Sequence, residues 1–519
     1  MRITFLGHAG FLVETESAVL VADPWLSPTG AFDAAWFQFP CNHHLAALVQ
    51  EKLADSSKSR YLYISHEHKD HFDKPFLDSI QCRDLTVILP RFDRPALAEA
   101  MRDYGCTDVV LAEDQEEVKI SGGTLKLYLD DSELNRDSAM LLKADGEAFL
   151  NLNDCRVTDA LPVIRREEGS IDVLATQFSG ANWHPVCYEY PQQRYESISK
   201  KKVMAKFNAV AEGIKTISPR FYLPSAGPPC FLDPTLLSIN FEPVNIFPQA
   251  WALTRYLERR FPASATAWPV LMPGDVLDVT AGRVHELGSE RVDEAGFRRY
   301  VEDYAARYSG LFRARQELAE AADPGDLLER LQESLRGKLD ALELHDRVTT
   351  NLYFGFTDVP DIMLRVNFPE RDIATCHGID EADFYQIRAP SWEVARALEN
   401  RISWEDFAHT FRLRLARAPD IYQTIISAFI RLDPDDLNRF CRKILNIESR
   451  QERIIKEANG TRYVVDRYCP HQGGDLLYGW IEEGRYLTCP RHGWRYDLEN
   501  EGVCPDNAGT VHAVCLEED

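Results

Sequence analysis

Two short constellations in this sequence have the residue types and spacing of metal chemistry. One is Cys469-Pro470-His471, followed after seventeen residues by Cys489-Pro490-Arg491-His492. Two thiolates and two neutral imidazoles suit a [2Fe–2S] cluster, in which the thiolates hold one iron and the imidazoles hold the other and raise the potential. Each Cys/His pair fits on one tight loop, and Gly473, Gly474 and Gly493 allow backbone turns close to sulfur. A zinc site fits less well, because zinc favours C-x2-4-C and H-x3-5-H pairs. The second constellation is His66-Glu67-His68-Lys69-Asp70-His71, directly after the apolar run 60–65. Three imidazoles and a carboxylate on one strand-end loop can hold two metals. His66 and His68 would serve one of them, Asp70 and His71 the other.

Other candidates are plainer. Ser199, Lys200, Lys201 and Lys202 form a basic run that could meet a substrate phosphate, or simply be a solvated helix face. His43 and His44 read as a loop pair outside the site. Arg365 could reach an anionic substrate or sit in a salt bridge.

These residues need elements to position them. Segments 2–14, 18–26, 60–66 and 85–90 read as strands, as do TLKLYL, AFLNLND, DVLATQF and RFYLPS further on. Helical stretches such as 191–215 lie between them, so a layered α/β domain is expected over 1–290. Residues 291–446 read as charged, amphipathic and mostly helical, a scaffold or substrate-side cover with one strand-like stretch, DIMLRVNF. From 447 to 519 the chain turns strand-like again, with frequent Gly, Tyr and Cys. The 519 residues exceed one core, and 45% hydrophobic with 27% charged residues is ordinary for a globular chain.

A net charge of −24 argues against nucleic acid as a partner, since phosphate neutralisation needs clustered Lys and Arg. No apolar run approaches the roughly 18–20 residues of a membrane helix, and the N-terminus lacks the pattern of a signal peptide. A cytoplasmic location without membrane contact is expected. The twelve cysteines are scattered, and only Cys469 and Cys489 stand in ligand spacing.

The segment 447–519 resembles the Rieske domains of oxygenases and their ferredoxins. Gly474 and Arg491 stand where the respiratory type carries extra cysteines, and Trp494 follows the second loop. Residues 1–285 resemble the metallo-β-lactamase superfamily through H-x-H-x-D-H and the GHAGFLVE and DPWL segments of its ascorbate-lactonase-like branch. That resemblance implies an αββα sandwich. It also implies further ligands: Asp154 after AFLNL as the bridging carboxylate, Glu133 where zinc hydrolases supply a His, and His184 as the last imidazole. His8, in the first turn, is implied near the metals and, with Asp70, at the reacting centre; packing is its plain reading. Asp23 reads as a loop-orienting carboxylate.

YISHEHKDH, SPRFYLPSAG and RLARAPDIYQ resemble segments of the CMP-N-acetylneuraminate hydroxylase family, in which the Rieske domain comes first. The ligand set with Glu133 also resembles a diiron β-hydroxylase of antibiotic assembly lines. Carboxylate-rich ligation suits iron and oxygen chemistry. The resemblances imply a monooxygenase. The Rieske cluster would pass electrons to two iron ions, and a small polar substrate (nucleotide-sugar, amino acid or amine) would be oxidised. A ferredoxin or flavin reductase drawing on NAD(P)H would supply the electrons, because no nucleotide fingerprint is present. The alternative is a dinuclear zinc hydrolase of esters, lactones or phosphodiesters with a redox-sensing Rieske domain.

Overall fold

The computed structural model describes residues 1–80, 84–132, 134, 136–288, 290–320 and 325–516. The chain forms two compact units. The first gathers Met1–Asp131, Asn135–Asn182 and Gln193–Ala314; the second gathers Ser132–Leu134, Trp183–Gln192 and Arg315–Asp519.

The first unit carries fourteen strands among the described residues. They are β1 (Arg2–Gly7), β2 (Gly10–Glu14), β3 (Ala18–Ala22), β4 (Ser59–Tyr63), β5 (Thr86–Pro90), β6 (Asp108–Ala112) and β7 (Glu117–Ile120), then β8 (Gly123–Asp131), β9 (Arg136–Ala144), β10 (Glu147–Asn151), β11 (Val173–Gln177), β12 (Phe221–Ser225), β13 (Val276–Asp278) and β14 (Arg283–His285). One sheet runs β14-β13-β1-β2-β3-β4-β5-β6, the other β12-β11-β10-β9-β8-β7.

Their inner faces share a core that includes Ile3, Phe11, Val13, Met140, Leu142 and Phe149. Phe11 on β2 meets Phe149 on β10 edge to face at 5.3 Å, joining the two sheets. Burying a ring of this size contributes about 1.5–3 kcal/mol. A second core covers the outer face of the first sheet, with Val49 and Leu53 of helix Ala46–Ala54 and Leu97 and Met101 of helix Ala96–Asp103. A third covers the other sheet with Ile164, Phe207, Ile214 and Leu253, from helices Leu161–Glu168, Gln192–Ile217 and Ala250–Arg260. The layers are therefore helix, sheet, sheet, helix, the metallo-β-lactamase arrangement. Strands such as β3 and β11 are buried along their whole length, so they lack the alternation of a half-exposed strand.

The second unit departs from the expectation of one strand within 291–446. It holds a five-stranded sheet: β15 (Asn351–Phe356), β16 (Met363–Asn367), β17 (Asp372–Cys376), β18 (Phe384–Ala389) and β19 (Arg414–Ala418), in the order β17-β16-β15-β18-β19. Of these strands β17 and β19 have only one buried residue each and so no apolar alternation, whereas β15 is buried at five of its six positions and carries no charge. The segment Trp183–Gln192 adds to this sheet beside β19. Leu415 N–H donates to Cys187 O at 2.8 Å, and Glu189 N–H donates to Leu415 O at 2.9 Å. The C-terminal part forms two three-stranded sheets, β20 (Arg453–Ala458), β21 (Thr461–Asp466) and β25 (Val514–Leu516), and β22 (Trp480–Glu482), β23 (Tyr486–Thr488) and β24 (Arg495–Asp497). It is the small all-β domain expected there.

Candidate metal centres

The first centre lies where β1, β4 and β10 end. The turn joining β1 to β2 holds His8 at φ 48°, and Asp23 after β3 and Asn153 after β10 are also left-handed, at φ 42° and 50°. Such φ values are uncommon for non-glycine residues and concentrate where the fold over-determines them. Asn153 is held by its backbone N–H donating to Asn151 Oδ1 at 3.1 Å and its Nδ2 donating to Ser138 O at 3.2 Å. Asp154 follows directly.

Two groups of side chains converge. His8, Asp70 and His71 form one; His66, His71 and Asp154 form the other; within each, one ligand atom per residue lies within 4.8 Å of the rest. His8 Nε2 stands 3.0 Å from Asp70 Oδ2. His71 Nε2 stands 4.0 Å from Asp70 Oδ2 and 3.8 Å from Asp154 Oδ1. His66 Nε2 and His68 Nδ1 approach to 2.8 Å.

The far sides of the His71 and His66 rings are fixed. His71 Nδ1 meets Asp23 Oδ2 at 2.9 Å. His66 Nδ1 meets Ser65 Oγ and Asp137 Oδ1, both at 2.9 Å. Asp23 also accepts from Ser65 N–H at 2.7 Å and from Ser65 Oγ at 2.6 Å. A carboxylate on one ring nitrogen leaves the other as the donor toward the centre, the usual support of a metal-bound His. Glu67 points elsewhere: it accepts from Arg94 at 3.1 Å and from Arg136 at 2.9 Å, and so braces the loop.

The donor set fits a cation. His8 Nε2, Asp70 Oδ1, His71 Nε2 and Asp154 Oδ1 are buried atoms that no hydrogen bond satisfies. Burial opposes charge on His71, yet the Asp70, Asp23 and Asp154 carboxylates overcome it and push its pKa up to about 10. Asp70 moves the opposite way: burial raises its pKa, but the imidazoles of His71 and His8 outweigh burial and hold it well below the carboxylate range. Two buried carboxylates, Asp23 and Asp70, and the half-buried Asp154 around one imidazole favour positive charge there, which a divalent ion would supply.

His8 therefore stands among the converging groups rather than in simple packing. Asp23 has the orienting role read for it. Glu133 lies outside the described residues. His184 is in neither group: its Nε2 stands 3.1 Å from Tyr190 Oη and 3.4 Å from Arg417 Nη2, in the second unit. Asp137 and Ser65 were missed in the sequence. A carboxylate at the start of β9, 71 positions from its imidazole, leaves no local pattern; Ser65 alone had a signal, being adjacent to His66. His43 bonds to Tyr304 and Tyr308, both at 3.2 Å, a packing role. Lys200 pairs with Glu196 on an exposed helix face at 3.4 Å, and Arg365 lies 4.0 Å from Glu381.

The second centre is built by two matching loops. Cys469 N–H donates to Gly474 O at 2.9 Å, and Cys489 N–H donates to Trp494 O at 2.8 Å. Gly473 and Gly493 close the loops at φ 71° and 70°, the left-handed region that favours glycine. A Cβ on Gly474 would lie 3.0 Å from Cys489 Sγ, so only glycine fits against that sulfur. Both cysteines are buried, at 1% and 0% exposure. Burial pushes the Cys469 thiol up. Contact with Cys489, the Tyr496 hydroxyl and the N–H groups of His471 and Gln472 outweigh it and hold Cys469 below its usual value. Tyr496 Oη stands 3.0 Å from Cys469 Sγ. The His471 and His492 rings lie 4.8 Å apart, and Trp494 stacks on His471 at 4.2 Å. Two buried thiols, with Cys469 held below its ordinary value and Cys489 pushed above it by the neighbouring Cys469 sulfur and by burial, stand beside two adjacent imidazoles and match the ligands of the mixed cluster.

A sequence model of the Rieske [2Fe-2S] domain matches residues 435–514. The molecule is thus an iron–sulfur oxidoreductase whose C-terminal Rieske domain holds a [2Fe–2S] cluster and whose first unit is a metallo-β-lactamase-type sandwich. The chain belongs to the family of the Rieske 2Fe-2S iron-sulfur protein of Mycobacterium tuberculosis, with which it is 30% identical over 97% of its length and 98% of that protein's. It is also similar to the cytidine monophosphate-N-acetylneuraminic acid hydroxylase of Asterias rubens, 20% identical over 84% of this chain and 66% of that one. Among solved structures, CmlA, a diiron beta-hydroxylase from Streptomyces venezuelae, matches 53% of each chain at 17% identity and a TM-score of 0.36. No helix among the described residues is long and apolar enough to cross a membrane.

Proposed function

We propose that this protein is a Rieske-coupled oxygenase. Its cluster delivers electrons to a dinuclear iron site held by His66, His68, Asp70, His71 and Asp154, with Glu133 as a further carboxylate ligand, and a small polar substrate is oxidised there. The observation that carries the reading is the pair of converging groups that share His71, present in one chain with a Rieske domain. A hydrolytic zinc site needs no electrons; an electron-delivery domain needs an acceptor. The hydroxylase relatives support the same class.

The irons, when bound, supply the redox chemistry with O2. The chain's own side chains do the rest. Asp23 and Asp137 hold the His71 and His66 rings so that one nitrogen of each faces the centre. Asp70 and Asp154 balance the cations' charge. His8 Nε2, 3.0 Å from Asp70 Oδ2, faces the centre beside that carboxylate. The burial of His66, Asp70 and His71, at 0–3% exposure, keeps bulk water from the ligands. A ferredoxin or flavin reductase acts as the electron donor.

Metal analysis and EPR of anaerobically purified protein test the reading. The expected result is iron beyond the two ions of the cluster, a Rieske signal on reduction, and O2 uptake by the reduced protein that rises with substrate. Stoichiometric zinc with no such uptake would refute it in favour of the hydrolase.

A further inference from the structure

The two imidazoles of the cluster site have different surroundings. His492 is half-buried, whereas His471 is 7% exposed. Trp494 covers one face of His471, and Tyr422 meets it edge-on at 5.8 Å and 90°. His471 is thus covered, while His492 is only half-buried.

Tyr422 comes from outside the 435–514 match, yet it packs on the Rieske core, and its carbonyl accepts from Ala508 N–H at 3.0 Å. The residues on either side of it embrace the Tyr385 hydroxyl, which accepts from Gln423 N–H at 2.9 Å and donates to Ile421 O. Across the β18–β19 register Tyr385 faces Arg417. The Arg417 guanidinium lies 5.8 Å from the Tyr385 ring and 5.0 Å from the Tyr188 ring. Tyr188 stacks on Tyr190 at 5.4 Å and 10°, and Tyr190 Oη reaches His184 Nε2. Asp420 ties this end together, accepting from Tyr190 Oη at 2.6 Å and Arg417 Nε at 2.9 Å. Burial pushes the Tyr188 and Tyr190 hydroxyls upward, so these rings stay neutral. The result is a chain of ring contacts and hydrogen bonds from a cluster ligand to the segment Trp183–Gln192, in which Tyr422 joins Tyr385 through the backbone of Ile421 and Gln423. That segment is spliced into the chain between β11 and helix Gln192–Ile217 of the metal-binding sandwich.

We propose that the two imidazoles divide electron traffic: His492 admits electrons from the external carrier, and His471 passes them through Tyr422 and the Arg417-centred tyrosines to His184. Each passage moves one electron and breaks no bond. The reduced cluster would be oxidised by one electron, and an oxidised acceptor beyond His184 would be reduced by one. The inference rests on the oxygenase reading only for the identity of that final acceptor.

The test uses the full chain with its cluster. Glu189, exposed between Tyr188 and Tyr190, is changed to Cys in a Cys515→Ser background and labelled with a ruthenium photo-oxidant. A flash then draws an electron from the reduced cluster, with no need of the metal domain. Tyr422→Leu is expected to slow this oxidation about tenfold, because the void left by the ring interrupts the packed path. Tyr422→Phe should keep the rate, and reduction by the external carrier and the cluster's EPR spectrum should be unchanged in both. Equal rates in parent and Tyr422→Leu, with an unaltered EPR signal, would overturn the proposal. Tyr385→Leu, which removes the link between Tyr422 and Arg417, gives the same reading should Tyr422→Leu not fold. An iron-loaded parent whose reduced cluster is never reoxidised internally would count against the oxygenase instead, and the flash result still judges the relay.

Discussion

Replacing Asp23 by Asn tests whether the first centre is oriented as described. The carboxylate is 1% exposed and serves three donors: Ser65 N–H at 2.7 Å, Ser65 Oγ at 2.6 Å and His71 Nδ1 at 2.9 Å. Asn keeps the volume and one acceptor, which can still serve Ser65 N–H. Its amide turns a donor toward His71 Nδ1. To avoid donor facing donor, His71 must move its proton to Nε2, the nitrogen aimed at Asp70 and Asp154. A metal then has to displace that proton. Loss of such a supporting carboxylate typically weakens metal binding by about 10–100-fold, or about 1.4–2.8 kcal/mol. Losing the charge-assisted bond lowers stability by about 1.5–3 kcal/mol. Asp23→Ala should do worse on stability, because the buried Ser65 N–H and hydroxyl lose their acceptor altogether. Chelator competition measures the affinity, and the Rieske EPR signal of the same sample checks that the cluster domain is intact. Asp23→Asn protein that binds metal as tightly as the parent would refute the orienting role and the assignment of His71 Nε2 as a ligand.

Tyr496→Phe removes the donor to Cys469 Sγ; a hydrogen bond to a charged group is worth about 1.5–3 kcal/mol, so the midpoint potential should fall by roughly 65–130 mV in protein-film voltammetry. Gly474→Ala pushes a methyl against Cys489 Sγ and the Arg491 side chain, and should lower the iron-to-protein ratio and weaken the Rieske spectrum. Lys338, 2% exposed and donating to Phe429 O and Ile430 O, has its pKa lowered by burial from 10.5 to about 7. The unfolded chain then binds the extra proton between those values, so stability falls as pH drops from 10.5 to about 7 and is flat below. Lys338→Met should remove this slope, which is at most about 1.4 kcal/mol per pH unit, as read by denaturant titrations at several pH values. Phe11→Ala takes a ring from between the two sheets and should cost about 3–5 kcal/mol in the same assay.

Much of this molecule was legible because its chemistry is local. Cys469 with His471, Cys489 with His492, and His66 through His71 each sit on a single loop, so donor type and spacing appear side by side in the chain. The alternation of apolar strands and helices likewise predicted the layered sandwich. The charged strands β17 and β19 hid the five-stranded sheet, since edge positions carry no apolar signal.

Contacts between distant segments leave no local pattern: Asp154 and His8 were placed near the centre only through family resemblance, and Asp137 was not placed at all. His8 and Asp154 join His71 only because β1, β4 and β10 end at the same rim of two packed sheets. Asp23 and Asp137 reach their imidazoles across the same rim. His184 illustrates the opposite outcome: the only imidazole of its region, it is committed to Tyr190 and Arg417 beside β19. Residue type and spacing fixed which groups could bind metal, because ligand chemistry is a property of side chains and short loops. Which distant groups share a centre was decided by tertiary structure alone, because strand ends far apart in sequence become neighbours only when the sheets form and pack. The same packing buries His471 beneath Tyr422 while leaving His492 within reach of solvent.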